Sequence, residues 1–106
     1  MAIKKERGSN KSNGLCKLSL NEEMTIYTID SIKQDISKEL DFYDRFEMNL
    51  SALEEMDSSG IQLLLALRNE VLKKGKTLKI TALNAMVSEF LESYGISNYF
   101  SGDDIT

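Results

Sequence analysis

Four residues, Asp57-Ser58-Ser59-Gly60, separate an alternating stretch, Phe46 to Leu50, from a strongly apolar run, Ile61 to Leu72. The hydrophobic period changes across them from two residues to that of a helix, so the unit reads strand, loop, helix. Asp and Ser are favoured just before a helix, where a side-chain oxygen accepts from free backbone N–H groups. Ser59-x-x-Gln62 fits a capping box. Gly60 is not needed for a cap and is a poor helix former. Its missing side chain, beside two hydroxyls, predicts close approach of another surface. On that reading Gly60→Ala leaves stability unchanged or raises it by up to roughly 1 kcal/mol. A hydroxyl at a helix N-terminus is also a place where a phosphate is tolerated.

The same periodicities extend along the chain. Cys16, Leu18 and Leu20 alternate with Lys17 and Ser19, which predicts a strand. Ile29, Ile32, Ile36, Leu40 and Tyr43 recur at three and four residues opposite a polar face, an amphipathic helix. Leu78, Ile80 and Ala82 alternate in a third strand, and Asn84 is placed to cap a third helix carrying Val87, Phe90, Leu91 and Tyr94. Lys74-Gly75 and Gly95 end the two later helices. The apolar residues of the second helix span an arc of about 200°, wider than a surface stripe. Its first turn is the part expected to remain exposed. Ile96, Tyr99 and Phe100 either add a short strand or cover the core.

Composition limits the chemistry. A chain of 106 residues is one domain, and 42% apolar with 28% charged residues is ordinary for a soluble globular chain. Nothing approaches the roughly 20 apolar residues of a membrane span, and no secretory signal is expected. The lone Cys16 suits a reducing, cytoplasmic compartment and reads as core. With no His, the His-based triads and imidazole metal sites are excluded, and one Cys cannot build a thiolate zinc site. Glycine-rich phosphate cradles are missing, and Glu54-Glu55 reads as a solvated charge run. The chain is expected not to be an enzyme and to hold neither metal nor cofactor. Residues 1–17 carry five Lys/Arg against one Glu, a net of +4, whereas the rest carries eight against sixteen, a net of −8. An acidic body argues against nucleic acid as a partner.

The expected architecture is α/β: an open mixed sheet of about four strands with three main helices. The domain spans residues 15–100, after a flexible basic tail over 1–14 and before a frayed end over 101–106. Functional loops of such sheets gather at the strand C-terminal ends, where Leu50 to Gly60 and Leu83-Asn84 lie.

Residues 15–100 resemble a STAS domain, the module shared by sulfate transporters and anti-sigma factor antagonists. The resemblance rests on the run from Phe46 through Leu50-Ser51 and Asp57-Ser58-Ser59-Gly60 to Leu67. The stretches Lys74 to Thr81 and Met86 to Ile96 extend it. Four features depart from the family pattern. Thr25 replaces an aspartate near the partner face, Asn84-Ala85 stands where Ser-Pro is usual, the sequence stops soon after Phe100 where longer antagonists add a final helix, and residues 1–14 offer no clear first edge strand.

The resemblance implies a partner-switching protein. Its unmodified form binds a serine kinase that is also an anti-sigma factor, and phosphorylation, by the family pattern at Ser59 with Ser58 as rival, releases it. The partner is then that kinase or a phosphatase, with no insertion into a membrane. The partner face implied comprises Met56, Asp57, Ser58, Ser59, Gly60, Ile61 and Gln62, with Leu63 and Thr25 at its margin. The alternative is a STAS regulatory subunit that docks on the ATPase of a bacterial phospholipid-transport ABC system.

Overall fold

A computed structural model describes residues 3–5 and 14–96. The strands are β1 (Ile3–Lys5), β2 (Leu15–Leu20), β3 (Glu23–Met24), β4 (Arg45–Leu50), β5 (Glu55–Met56) and β6 (Thr77–Leu83). The helices are α1 (Ile29–Ser37), α2 (Ser58–Lys73) and α3 (Ala85–Ser93). Four strands form one sheet in the order β1-β2-β4-β6, with β1 antiparallel to β2 and the other pairs parallel. The expected α/β class, mixed sheet and three helices are all present. Residues 3–5 lie within the stretch read as a tail, yet they pair with Leu18 to Leu20 as an edge strand. The edge strand that the sequence did not reveal is therefore in place.

Register explains the core. Cys16, Phe46 and Leu78 stand side by side across three strands, as do Leu18, Met48 and Ile80. These side chains share one face with the helices, and Cys16, Leu18, Phe46 and Met48 are buried there. The other face carries Lys17, Glu47 and Lys79 in one row, with Lys79 Nζ 3.8 Å from Glu47 Oε2. A partly solvated pair of this kind contributes at most about 1 kcal/mol.

Two helix expectations need correction. The apolar stripe from Ile29 to Tyr43 is not one continuous helix. α1 ends at Ser37, and three-residue turns follow, such as Leu40 N–H to Ser37 O at 3.4 Å and Phe42 N–H to Glu39 O at 3.1 Å. Leu40 and Tyr43 are still buried. The chain has to reach β4, whose entry is held by the Gly14 carbonyl accepting from Asp44 and Arg45 N–H at 2.8 Å each. The second correction concerns the wide arc of α2. Ile61, Leu63, Leu64, Leu67 and Val71 are all buried, and the large apolar residue left exposed is Leu72 in the last turn. The inner side of the first turn, at Gly60 and Ile61, is enclosed because β3 lies across it.

α2 ends as its sequence predicts. Gly75 adopts φ +74°, a conformation open to glycine, and Lys76 N–H bonds back to Val71 O at 2.8 Å.

Candidate docking site

β2 and β4 run parallel, so the loops that follow them emerge at the same end of the sheet. They are joined there by a two-strand ladder that the sequence did not announce. Glu23–Met24 pairs in parallel with Glu55–Met56. Glu54 N–H donates to Glu22 O at 2.7 Å and Asp57 N–H to Met24 O at 3.3 Å. Strands of two residues are too short to leave a periodic signal.

The start of α2 sits directly beneath this ladder. A Cβ on Gly60 would lie 2.7 Å from the Met24 carbonyl oxygen and 3.1 Å from the Cγ atoms of Met24 and Met56. Gly60 is therefore glycine because β3 rests on it. The close approach predicted from the sequence is real, but the approaching surface belongs to this chain. Its substitution by alanine is expected to destabilise, which reverses the expectation from helix propensity.

Asp57 is the helix cap. Its backbone is extended, at φ −128° and ψ −173°, and its Oδ1 accepts from Ser59 N–H at 2.9 Å. The Ser59-x-x-Gln62 capping box does not form, because the helix already begins at Ser58 and Ser59 lies inside it. The second Asp57 oxygen, Oδ2, accepts from Ile26 N–H at 3.0 Å. One carboxylate thus connects α2 to the turn between β3 and α1.

That turn is built by threonines. Thr25 N–H donates to Thr28 Oγ1 at 3.1 Å, and Thr28 Oγ1 donates to Glu23 O at 3.0 Å. The Thr25 carbonyl accepts from Thr28 and Ile29 N–H at 2.9 Å each, while its hydroxyl donates to Glu23 Oε1 at 2.5 Å. Thr25 is only 3% exposed. It shapes the turn and offers no side chain to a partner. The shape turns Ile26 and Tyr27 outward, 63% and 90% exposed, next to the Asp57 carboxylate.

The predicted site residues divide accordingly. Ser58 and Gln62 are exposed one helical turn apart, and Asp57 and Ser59 are half-buried. Met56, Gly60, Ile61 and Leu63 are buried, so their side chains do not form a surface. Leu63 lies instead in the groove between α1 and α2, beside Leu40 and Leu67. Ile61, 3% exposed, belongs to the core, which corrects its expected place in an exposed turn.

Ile26 and Tyr27 are the accessible apolar residues that the sequence reading missed. Ile26 stands three residues before Ile29 and merges with the helical stripe. The available signal was the Thr25–Thr28 pair, whose hydroxyls favour local turns over helix. Glu22, Glu54 and Glu55 are exposed around this end. Among the described residues no group of acidic or sulfur side chains is arranged to hold a metal, and no helix is long and apolar enough to cross a membrane.

Comparison with known proteins matches the fold to a known module. The unphosphorylated anti-sigma factor antagonist SpoIIAA superposes with a TM-score of 0.77 at 19% identity, over 98% of this chain and 89% of that one. The phosphorylated form of the Bacillus cell fate determinant SpoIIAA gives 0.72 at 18% identity, over 98% and 92%. An anti-sigma factor antagonist from Mycobacterium paratuberculosis gives 0.73 at 20% identity, over 92% and 82%. No curated protein sequence matches the chain. The family model described as "Mlab, STAS domain" matches residues 9–101, and the chain belongs to that STAS family.

Proposed function

We propose that this protein is a phosphorylation-regulated partner switch of the anti-sigma factor antagonist type. Its unmodified form binds a serine kinase that doubles as an anti-sigma factor, and a phosphate on Ser59 releases it. The observation that carries this reading is the placement of the Ser58-Ser59 hydroxyls. Ser58 is exposed and Ser59 half-buried at the helix start, and the Asp57 carboxylate bridges the Ser59 N–H to the Ile26 N–H of the protruding Ile26–Tyr27 turn. An apolar tip beside a polar rim is the usual anatomy of a docking centre. A phosphate adds a charge of about −1.5 to −2. The helix N-terminus tolerates it, so the fold survives. Asp57, Glu54 and Glu55 are already negative, so release follows from repulsion and bulk without refolding. On this reading the protein works in the cytoplasm by association, without cofactor and without chemistry of its own.

The alternative is a STAS subunit that docks unmodified on the ATPase of a phospholipid-transport ABC system. One observation favours it: Ser59 is half-buried and its amide is already engaged by Asp57, whereas a substrate serine has to be reached by a kinase.

Incubation with the cognate kinase, followed by mapping of the phosphate, decides between them. The proposal expects modification of Ser59 and loss of kinase binding in the Ser59→Asp variant. A phosphate on Ser58 moves the switch by one residue, and a chain that no native kinase modifies while an ABC ATPase binds it establishes the alternative.

A further inference from the structure

The Asp57 carboxylate is shared between two segments. Oδ1 takes the Ser59 N–H at 2.9 Å and Oδ2 takes the Ile26 N–H at 3.0 Å. The other bonds of the Ile26–Tyr27 turn are local, such as Tyr27 N–H to Thr25 Oγ1 at 3.3 Å. The β3–β5 ladder ends at Met24 and Met56. Beyond it, the orientation of the tip relative to Ser58 and Ser59 depends on Asp57.

We infer that Asp57 is the positioning residue that couples the state of Ser59 to the Ile26–Tyr27 turn; this rests on the reading of Ser59 as the modified hydroxyl. A phosphate on Ser59 brings three acceptor oxygens and up to two charges to the helix start. The next amides along the helix are already engaged, Gly60 N–H with Asp57 O at 2.9 Å and Ile61 N–H with the same oxygen at 3.4 Å. Phosphate and Asp57 carboxylate therefore compete for the Ser59 N–H, and as like charges they separate. Where the carboxylate yields, its rotation carries Oδ2 away from Ile26. The tip then loses its fixed orientation, and a partner that recognised an ordered apolar tip has to order it again on binding. Repulsion by the phosphate and loosening of a surface two segments away become one event.

Amide hydrogen exchange at Ile26, read by NMR on the full chain, tests this without any partner. Phosphoserine is installed at position 59 during synthesis, so no kinase is needed. The second variant is Asp57→Asn. Its side-chain oxygen can still cap the Ser59 N–H, whereas its NH2 group cannot accept from Ile26. Phosphoserine at 59 is expected to speed Ile26 exchange by about tenfold or more, the size of one lost hydrogen bond to a charged group. Asp57→Asn is expected to do the same, and phosphoserine is expected to add nothing in that background. Unchanged Ile26 exchange in the phosphorylated wild-type chain overturns the coupling, and this arm stands even where Asp57→Asn lowers stability. An equal acceleration by phosphoserine in both backgrounds also overturns it. The functional reading fails by a different result, a Ser59 that its kinase does not modify, so the two failures are distinguishable.

Discussion

Asp57 at the start of α2 and Asn84 at the start of α3 both cap their helices at 2.9 Å, Asp57 from Ser59 N–H and Asn84 from Val87 N–H. Their remaining hydrogen-bonding capacity separates them. A carboxylate only accepts, so Asp57 reaches the Ile26 N–H. An amide also donates, and Asn84 Nδ2 reaches Leu53 O at 2.8 Å and Ser51 O at 3.2 Å. The α3 start is a neutral fastening with exposed Ala85 following it. The α2 start is charged, bears two hydroxyls, and carries β3 on a glycine. A bond held by a charge can be displaced by another charge; the neutral fastening at Asn84 is insensitive to that.

The sharpest way to break this comparison is Ile61→Glu. It places an unpaired carboxylate in the core beneath the α2 start, where the cost is expected to reach about 4 kcal/mol or more and to prevent folding. Circular dichroism with urea titration checks this. A cooperative transition like that of the wild type would return Ile61 to the surface.

Gly60→Ala comes next, with an expected loss of about 1–3 kcal/mol from overpacking against the Met24 carbonyl. Ala85→Gly, in the exposed first turn of α3, is expected to cost no more than about 1 kcal/mol. Thermal melts of the two variants, side by side, measure the difference between a supporting and a free helix start. A Gly60→Ala variant that melts no lower than the wild type would mean that β3 can lift off α2 without cost.

Asn84→Asp is expected to cost about 1–2 kcal/mol. The cap is kept, but an acceptor now faces the Ser51 and Leu53 carbonyls. Chemical denaturation reads this loss. A neutral outcome would make the cap alone sufficient and remove the distinction between donor and acceptor.

The smallest effect on stability belongs to Tyr27→Ser, within about 0.5 kcal/mol because the ring stands in solvent. Binding to the proposed kinase partner, measured by calorimetric titration, is nevertheless expected to weaken by at least about tenfold, as for an anchor residue of a docking centre. Unaltered affinity would remove the turn from the proposed interface.

Much of this was legible in the residues themselves. Strands β2, β4 and β6 carry long alternating patterns, and helices α2 and α3 have caps and stop signals of local origin, so they were read within a few residues. Asn84 was recognised as a cap because its role is decided by the next three residues. Gly60 and Ile61 were misread for the opposite reason. Helix propensity and the width of an apolar arc are properties of α2 alone, whereas their roles are set by β3, which arrives from more than thirty residues earlier.

Sequence alone determined the α/β layering, the order of the major elements, and the Asp-Ser-Ser-Gly loop at the edge of the sheet, because periodicity, capping and turn chemistry act over neighbouring residues. Tertiary structure decided which of the loop's residues can be touched. The β3–β5 ladder, the seat of Met24 on Gly60 and the two-ended bond of Asp57 join segments distant in the chain. Those contacts bury Thr25, Met56, Gly60 and Ile61, and they leave Ser58, Gln62, Ile26 and Tyr27 facing out.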